Sequence, residues 1–161
     1  TLVVPLLFQE VVTGPFLIRG DIYYHQDTNE LVTGIVETFH SNGQLQTRRT
    51  YRDGKRDGPS ESFHENGQLE RRVNYIDGEL DGLQESFHEN GQLSSRSNFI
   101  DGVQDGLFEL FHVNGQLSIR QNYIDGKADG PWETFDQDGN LTETRTYRNG
   151  EVVESNYHLN P

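Results

Sequence analysis

Cysteine and methionine are both missing from the 161 residues, and each absence excludes something different. Without cysteine there is no disulfide framework and no thiolate zinc site, so the fold rests on packing and hydrogen bonds. Without methionine, the expectation is that a processed or trimmed N-terminus precedes Thr1. Apolar residues are scarce at 32%, with aromatics at 11%, which is thin for a compact two-layer core and argues for an extended structure. Leu2-Val3-Val4-Pro5-Leu6-Leu7-Phe8 is far too short to span a bilayer. It reads either as the stretch left behind a removed signal sequence or as a first strand or cap. Positive charge is the remaining shortage: 13 Lys and Arg face 26 Asp and Glu, a net charge of −13. That balance excludes a sequence-independent nucleic-acid binder, which needs cations for phosphates, and disfavours direct membrane binding through anionic lipid. The field steers a basic protein surface toward the chain; the competing reading is that it keeps an edge-rich sheet soluble.

Against these shortages stands a strict 24-residue period. Phe39-His40-Ser41-Asn42-Gly43-Gln44-Leu45 recurs as residues 63–69, 87–93 and 111–117, and in weaker form as Phe135-Asp136-Gln137-Asp138-Gly139-Asn140-Leu141. A second phase places Tyr51, Tyr75, Phe99, Tyr123 and Tyr147 three residues before Gly54, Gly78, Gly102, Gly126 and Gly150. A third runs Gly34, Gly58, Gly82, Gly106 and Gly130, each trailed by a glutamate: Glu37, Glu61, Glu85, Glu109 and Glu133. Aromatics held at fixed spacing argue against disorder, and such self-similarity marks an array whose units bury apolar surface only against neighbours.

Within one unit the turn signals leave no room for a helix. Glu65 and Asn66 fit a type I turn with Gly67 as the left-handed residue, and Gly78 after Ile76-Asp77 is expected to do the same at the other end. If His64 pairs with Gln68, Phe63 lies opposite Leu69 and Glu61 opposite Arg71. That register puts Phe63, Leu69, Val73 and Tyr75 on an apolar face, and Ser60, Ser62, His64, Gln68, Arg72 and Asn74 on a polar one. Gly58, Gly82 and Gly106 leave space for neighbouring rings. The expected fold is all-β: an elongated, twisted, single-layer antiparallel sheet of five hairpin repeats over residues 33–152. Residues 1–32, with Tyr23, Tyr24 and Leu31, form a degenerate N-terminal cap, and residues 153–161 a short tail.

The unit running from Tyr75-Ile76-Asp77-Gly78-Glu79-Leu80-Asp81-Gly82 through Phe87-His88-Glu89-Asn90-Gly91 resembles a MORN repeat, in the bacterial variant typical of YwqK-family antitoxin-like proteins. The resemblance covers about residues 33–152. It implies hairpin repeats in an elongated sheet and a role in protein or lipid contacts, and bacterial members often look like exported immunity or antitoxin partners. A periplasmic or cell-envelope location is accordingly expected ahead of a cytoplasmic one. The resemblance supplies no catalytic residue and no cofactor. The final copy departs from it, with Asp136 for His and Asp138 for Asn.

His40, His64, His88 and His112 form one row, but two strand spacings, about 9 to 10 Å, are too long for neighbouring imidazoles to share a zinc ion, so no metal site is expected. Turn-flanking polar roles suit them better. The phase taken to face the glutamates reads Thr47, Arg71, Ser95, Ile119 and Glu143, which leaves most carboxylates without a repeated partner, either to hold a basic ligand or to form a solvated edge of the apolar face. Catalysis is not expected: repeated units give each carboxylate a similar setting, and no nucleophile elbow, phosphate loop or HExxH motif occurs. The departures from the repeat are more informative. One polar phase reads Val36, Ser60, Gln84, Phe108, Trp132 and another Thr38, Ser62, Ser86, Leu110, Thr134, while Val113 replaces a polar residue at a turn tip. Exposed together, Phe108 and Trp132 make a binding anchor; folded under Tyr157 and Leu159 of the tail, they make a capped end. The expected partner-binding set is Phe108, Leu110, Trp132, Val113, Glu85, Glu109 and Glu133. The expected function is non-enzymatic protein binding, as an immunity or antitoxin-like protein that neutralises a toxin or effector with a basic surface. A structural or membrane-associated scaffold is the alternative.

Overall fold

A computed structural model describes residues 10–158, and every regular element among them is a strand. An N-terminal segment supplies β1 (Val11–Val12) and a hairpin of β2 (Phe16–Arg19) and β3 (Ile22–His25). The repeats supply β4 (Gly34–Phe39), β5 (Leu45–Arg52), β6 (Lys55–Phe63), β7 (Leu69–Ile76), β8 (Glu79–Leu80), β9 (Gly82–Phe87), β10 (Leu93–Ile100) and β11 (Val103–Gln104). They continue with β12 (Gly106–Phe111), β13 (Leu117–Ile124), β14 (Lys127–Phe135), β15 (Leu141–Arg148) and β16 (Glu151–Tyr157). One sheet runs β1-β4-β5-β6-β7-β9-β10-β12-β13-β14-β15-β16, with β8 and β11 as short pairs beside β7 and β10. All its pairings are antiparallel except that of β1 with β4. At about 4.8 Å per strand the ribbon is roughly 50 Å long.

Two turn chemistries close the hairpins on opposite edges. At Asp53-Gly54 both residues lie at positive φ, +48° and +79°, and Arg52 pairs with Lys55, so this is a two-residue type I′ loop whose twist matches the flanking strands. Asp77-Gly78 repeats it with both residues at positive φ, so Gly78 is the left-handed residue expected but closes a two-residue loop and does not follow a type I turn as Gly67 does. At the other edge the Gly67 N–H donates to the His64 carbonyl at 2.8 Å and the His64 N–H donates to the Gln68 carbonyl at 2.8 Å, with Gly67 at φ +82°, in keeping with its turn residues. Here successive turns are stitched together. The ring Nε2 of His64 donates to the Phe87 carbonyl at 2.9 Å and the Asn66 amide to the Glu89 carbonyl at 2.8 Å; His40, His88 and His112 make the equivalent bond one repeat away. Asp136, in the last copy, instead accepts from the side chain and backbone of Asn140, which hold its carboxyl below the usual range.

Register is where the structure departs from the sequence reading. Phe63 does pair with Leu69, but Glu70 is then bulged out, so that Ser62 faces Arg71, Glu61 faces Arg72 and Ser60 faces Val73. A one-residue bulge exchanges the faces of everything beyond it. Phe63 and Leu69 therefore lie on the face of Glu61 and Arg72, whereas Val73 and Tyr75 lie on the face of Ser60 and Ser62. The expected apolar and polar faces do not form. The glycine phase stands opposite the rings, Gly58 with Tyr75 and Gly82 with Phe99, and these glycines take positive φ, +114° and +83°, as well as leaving space.

The N-terminal segment covers one end of the Tyr75 face. Val32, Val36 and Tyr51 form the buried apolar cluster, packed by Val12, Phe16 and Tyr23, and the Tyr23 and Tyr51 ring centroids are 4.5 Å apart. Gly54 permits the approach: a Cβ there would lie 2.6 Å from Ile22 Cγ2 and 2.9 Å from the Tyr23 carbonyl oxygen. The reading of Leu2 to Phe8 falls outside the described residues. At the other end the expected tail is in part a strand, since β16 pairs with β15 in the sheet.

Tyr51 is 1% exposed, and its hydroxyl has no hydrogen-bond partner among the described residues. Burial, with the Tyr23 phenol beside it, pushes its pKa up to about 12, against a smaller opposing pull from the Arg56 guanidinium. A raised phenol pKa means that the folded state keeps a proton the unfolded chain has released, so stability is intact below pH 10 and falls as pH rises toward 12. At pH 11 the loss is about 1.4 kcal/mol relative to neutral pH. Urea denaturation of wild type and Tyr51→Phe at pH 8 and pH 11 checks this: the variant should be no less stable at pH 8 and should lose less on going to pH 11.

Candidate protein-binding face

The bulge register brings together a ladder that the sequence reading missed. Across one face Glu37, Glu61, Glu85, Glu109 and Glu133 alternate with Arg48, Arg72, Arg96 and Arg120, each directly opposite the next from β4 to β14. Opposite charges facing each other across strands support the sheet. Arg48 reaches Glu37 at 2.8 Å, Arg72 reaches Glu85 at 2.7 Å, and Arg120 reaches Glu109 at 3.3 Å and Glu133 at 3.7 Å, while Arg96 also bonds Glu109. The expectation that most of these carboxylates lack a repeated partner is therefore corrected. The partner phase is Arg72, displaced by one residue from the Arg71 phase because of the bulge at Glu70. Both glutamates and arginines recur every 24 residues, so the signal was present once the register was known.

The opposite face, which carries Tyr75 and Val73, is built of different chemistry. Its central row passes through Val36, Arg49, Ser60, Val73, Gln84 and Ser97, then Phe108, Gln121, Trp132 and Arg145. The adjoining row reads Thr47, Ser62, Arg71, Ser86 and Ser95, then Leu110, Ile119 and Thr134. In these two rows hydroxyl, amide and guanidinium groups, with Val73 among them, thus occupy the middle repeats, and beyond them lies an apolar group of Phe108, Leu110, Ile119 and Trp132. Phe108 meets Tyr123 edge-on at 6.1 Å, and the Arg145 guanidinium lies 4.5 Å over the Trp132 ring, a cation–π contact that fixes the indole plane. These residues are half-buried, shielded by neighbours in their own sheet. β16 continues the sheet beside β15 and does not fold over them; Tyr157 is 72% exposed, and Leu159 lies outside the described residues.

The seven expected partner-binding residues fall in three places. Phe108, Leu110 and Trp132 share one face, joined by Ile119 and Tyr123. Glu85, Glu109 and Glu133 are on the opposite face in the charge ladder. Val113 is 62% exposed at a turn tip on the sheet edge, and its carbonyl accepts from Asn90 at 2.9 Å.

Glu109 is the most enclosed carboxylate of the ladder, 3% exposed between Arg96 and Arg120. Removing both guanidiniums strands a buried charge, and the Arg96→Ala/Arg120→Ala double variant should lose about 3 kcal/mol. Arg48→Ala, beside more exposed glutamates, should lose under about 1 kcal/mol. Urea denaturation midpoints distinguish the two, and equal midpoints would remove any special weight from Glu109.

Two solved structures align weakly with this fold: a TarM mutant of S. aureus in complex with fondaparinux, α-GlcNAc-glycerol and UDP, and a GtfA/B complex bound to UDP and GlcNAc. The first is 16% identical with a TM-score of 0.39 over 73% of this chain, the second 13% identical with a TM-score of 0.27 over 88%. This chain spans 20% and 26% of their respective lengths. Comparison with curated proteins gives no match. The sequence profile of the MORN repeat variant matches residues 32–53, 56–77, 80–101 and 128–149. Those segments step by 24 residues and pass over one copy, the hairpin of β12 and β13 that contains Phe108, Leu110, Val113 and Ile119. The matched segments make up more than half of the sequence, and the chain belongs to the MORN repeat variant family.

Proposed function

We propose that this protein is a non-enzymatic binding scaffold that holds a protein partner on the face of Phe108, Leu110, Ile119 and Trp132. The observation that carries the reading is the position of these residues. They form the apolar end of two neighbouring rows whose middle part, Val73 apart, carries hydroxyl, amide and guanidinium side chains, and most of them sit in the copy that the family profile passes over. Buried aromatic anchors of this kind dominate interface energetics, and departure from the repeat consensus at one place distinguishes a binding surface from the structural demands of the array. The repeated glutamates support the non-enzymatic reading, because each, the enclosed Glu109 included, faces arginine across the strands.

In its most specific form the proposal is an immunity or antitoxin-like protein of the YwqK type that covers a toxin or secreted effector. The net charge of −13 favours a partner with a basic surface during diffusional approach. Calorimetry against the product of the adjacent gene tests it. Wild type should bind in a saturable 1:1 complex, and Trp132→Ala should weaken binding at least thirtyfold, about 2 kcal/mol, without altering the β-sheet spectrum. Unchanged affinity in the folded variant removes this face. Binding to lipid vesicles that is indifferent to Trp132→Ala supports the membrane-associated scaffold instead.

A further inference from the structure

The two faces treat arginine differently. On the ladder face Arg48, Arg72, Arg96 and Arg120 each meet a glutamate. On the partner face Arg49 of β5, Arg56 of β6 and Arg71 of β7 gather around one cavity of about 70 Å³, beside the buried Ser60 and Val73. Among the described residues no carboxylate lies within 4.0 Å of any of the three. Arg56 donates to the Tyr75 hydroxyl at 2.9 Å and Arg71 to the Gln84 side-chain oxygen at 2.8 Å, both neutral acceptors that leave most guanidinium N–H groups unused. Glu61 also borders the cavity, but it belongs to the ladder face, where Arg48 lies 3.9 Å from it. Glu70 borders neighbouring cavities with Arg49 and with Arg71, and Glu65 and Glu89 share the one with Arg49, but none of the three comes within 4.0 Å of either guanidinium. Three like charges gathered around one cavity without a directly paired carboxylate oppose folding. Their planar forks suit a carboxylate, which two of them can hold in bidentate fashion.

The geometry points to this cavity as a seat for the acidic side chains of the same partner that covers Phe108 and Trp132. The inference rests on the protein-binding reading and adds the partner's local chemistry: a segment that is acidic where it crosses β5 to β7 and apolar where it crosses β12 to β14. From Arg71 the path crosses three strand spacings to Phe108, about 14 Å, and five to Trp132, about 24 Å, so an extended segment of roughly four to seven residues links the two contacts. The acidic segment meets a locally cationic part of the face even though the molecule as a whole is anionic.

The test is a nuclear magnetic resonance titration with a blocked ten-residue peptide carrying two glutamates at one end, two phenylalanines at the other and a serine-glycine spacer. Matched peptides with glutamine for glutamate, or serine for phenylalanine, serve as controls. The full peptide should shift both the arginine side-chain and the Trp132 indole resonances. Its affinity should fall roughly tenfold, and lose its salt dependence, both on glutamate replacement and in the folded Arg49→Gln/Arg71→Gln variant. If glutamine and glutamate peptides bind alike while Trp132 still responds, the carboxylate seat is wrong and the apolar anchor stands. If only the glutamate end matters, the seat stands and the anchor fails. Inorganic phosphate binding at the arginines while the peptide shifts nothing assigns the cavity to a free oxyanion and overturns the proposal.

Discussion

Cross-strand pairing is the constraint on which this molecule depends, because a single-layer sheet has no second layer in which to bury its apolar residues. Beyond the capped end, each strand is stabilised by its two neighbours, through the backbone ladder and through whatever its side chains meet directly opposite. The residues observed across the strands reflect that dependence. Glutamate meets arginine in unbroken alternation on one face, and on the other, small hydroxyl side chains such as Ser60 and Ser97 are buried to 8% and 6% exposure among larger neighbours. The turn edges add their own pairing, since each histidine and asparagine reaches a carbonyl in the next repeat. An array built this way is held by nearest-neighbour terms, so its ends are its weak points.

The two ends meet that problem differently. At the start, the β2–β3 hairpin lies over Tyr51 and Val36, and Gly54 leaves the room for it. At the finish, β16 extends the sheet and leaves the face of Trp132 uncovered by the described residues. The apolar group near that end is thus placed where none of the described residues closes over it. The same face carries, in the early repeats, arginines that pair directly with no carboxylate among the described residues. Together these make one surface with a cationic region and an apolar region, backed by a face whose charges largely satisfy one another.

Much was legible in the sequence. The all-β class, the 24-residue unit, the type I turn at Glu65-Asn66 and the pairing of Phe63 with Leu69 all arise from local signals. Phe108, Leu110 and Trp132 were found as departures from the repeat, and the register does put them on one face. Turn chemistry and period are local properties, fixed by φ preferences at Asp, Asn and Gly and by side-chain spacing along the chain.

Only the tertiary structure decided which residues face each other. The bulge at Glu70 leaves no mark in composition, yet it shifts the partner of Glu61 from Arg71 to Arg72 and so exchanges two whole rows between faces. Since side chains alternate with a period of two, one uncounted residue is enough to invert a face. The charge ladder and the arginine cavity result from that displacement, whereas Glu109 and Glu133 are separated from Phe108 and Trp132 by strand alternation alone, being their immediate neighbours on β12 and β14. The sequence determined the unit and its repetition; the register between strands, a property of backbone pairing across the hairpin, determined the two surfaces.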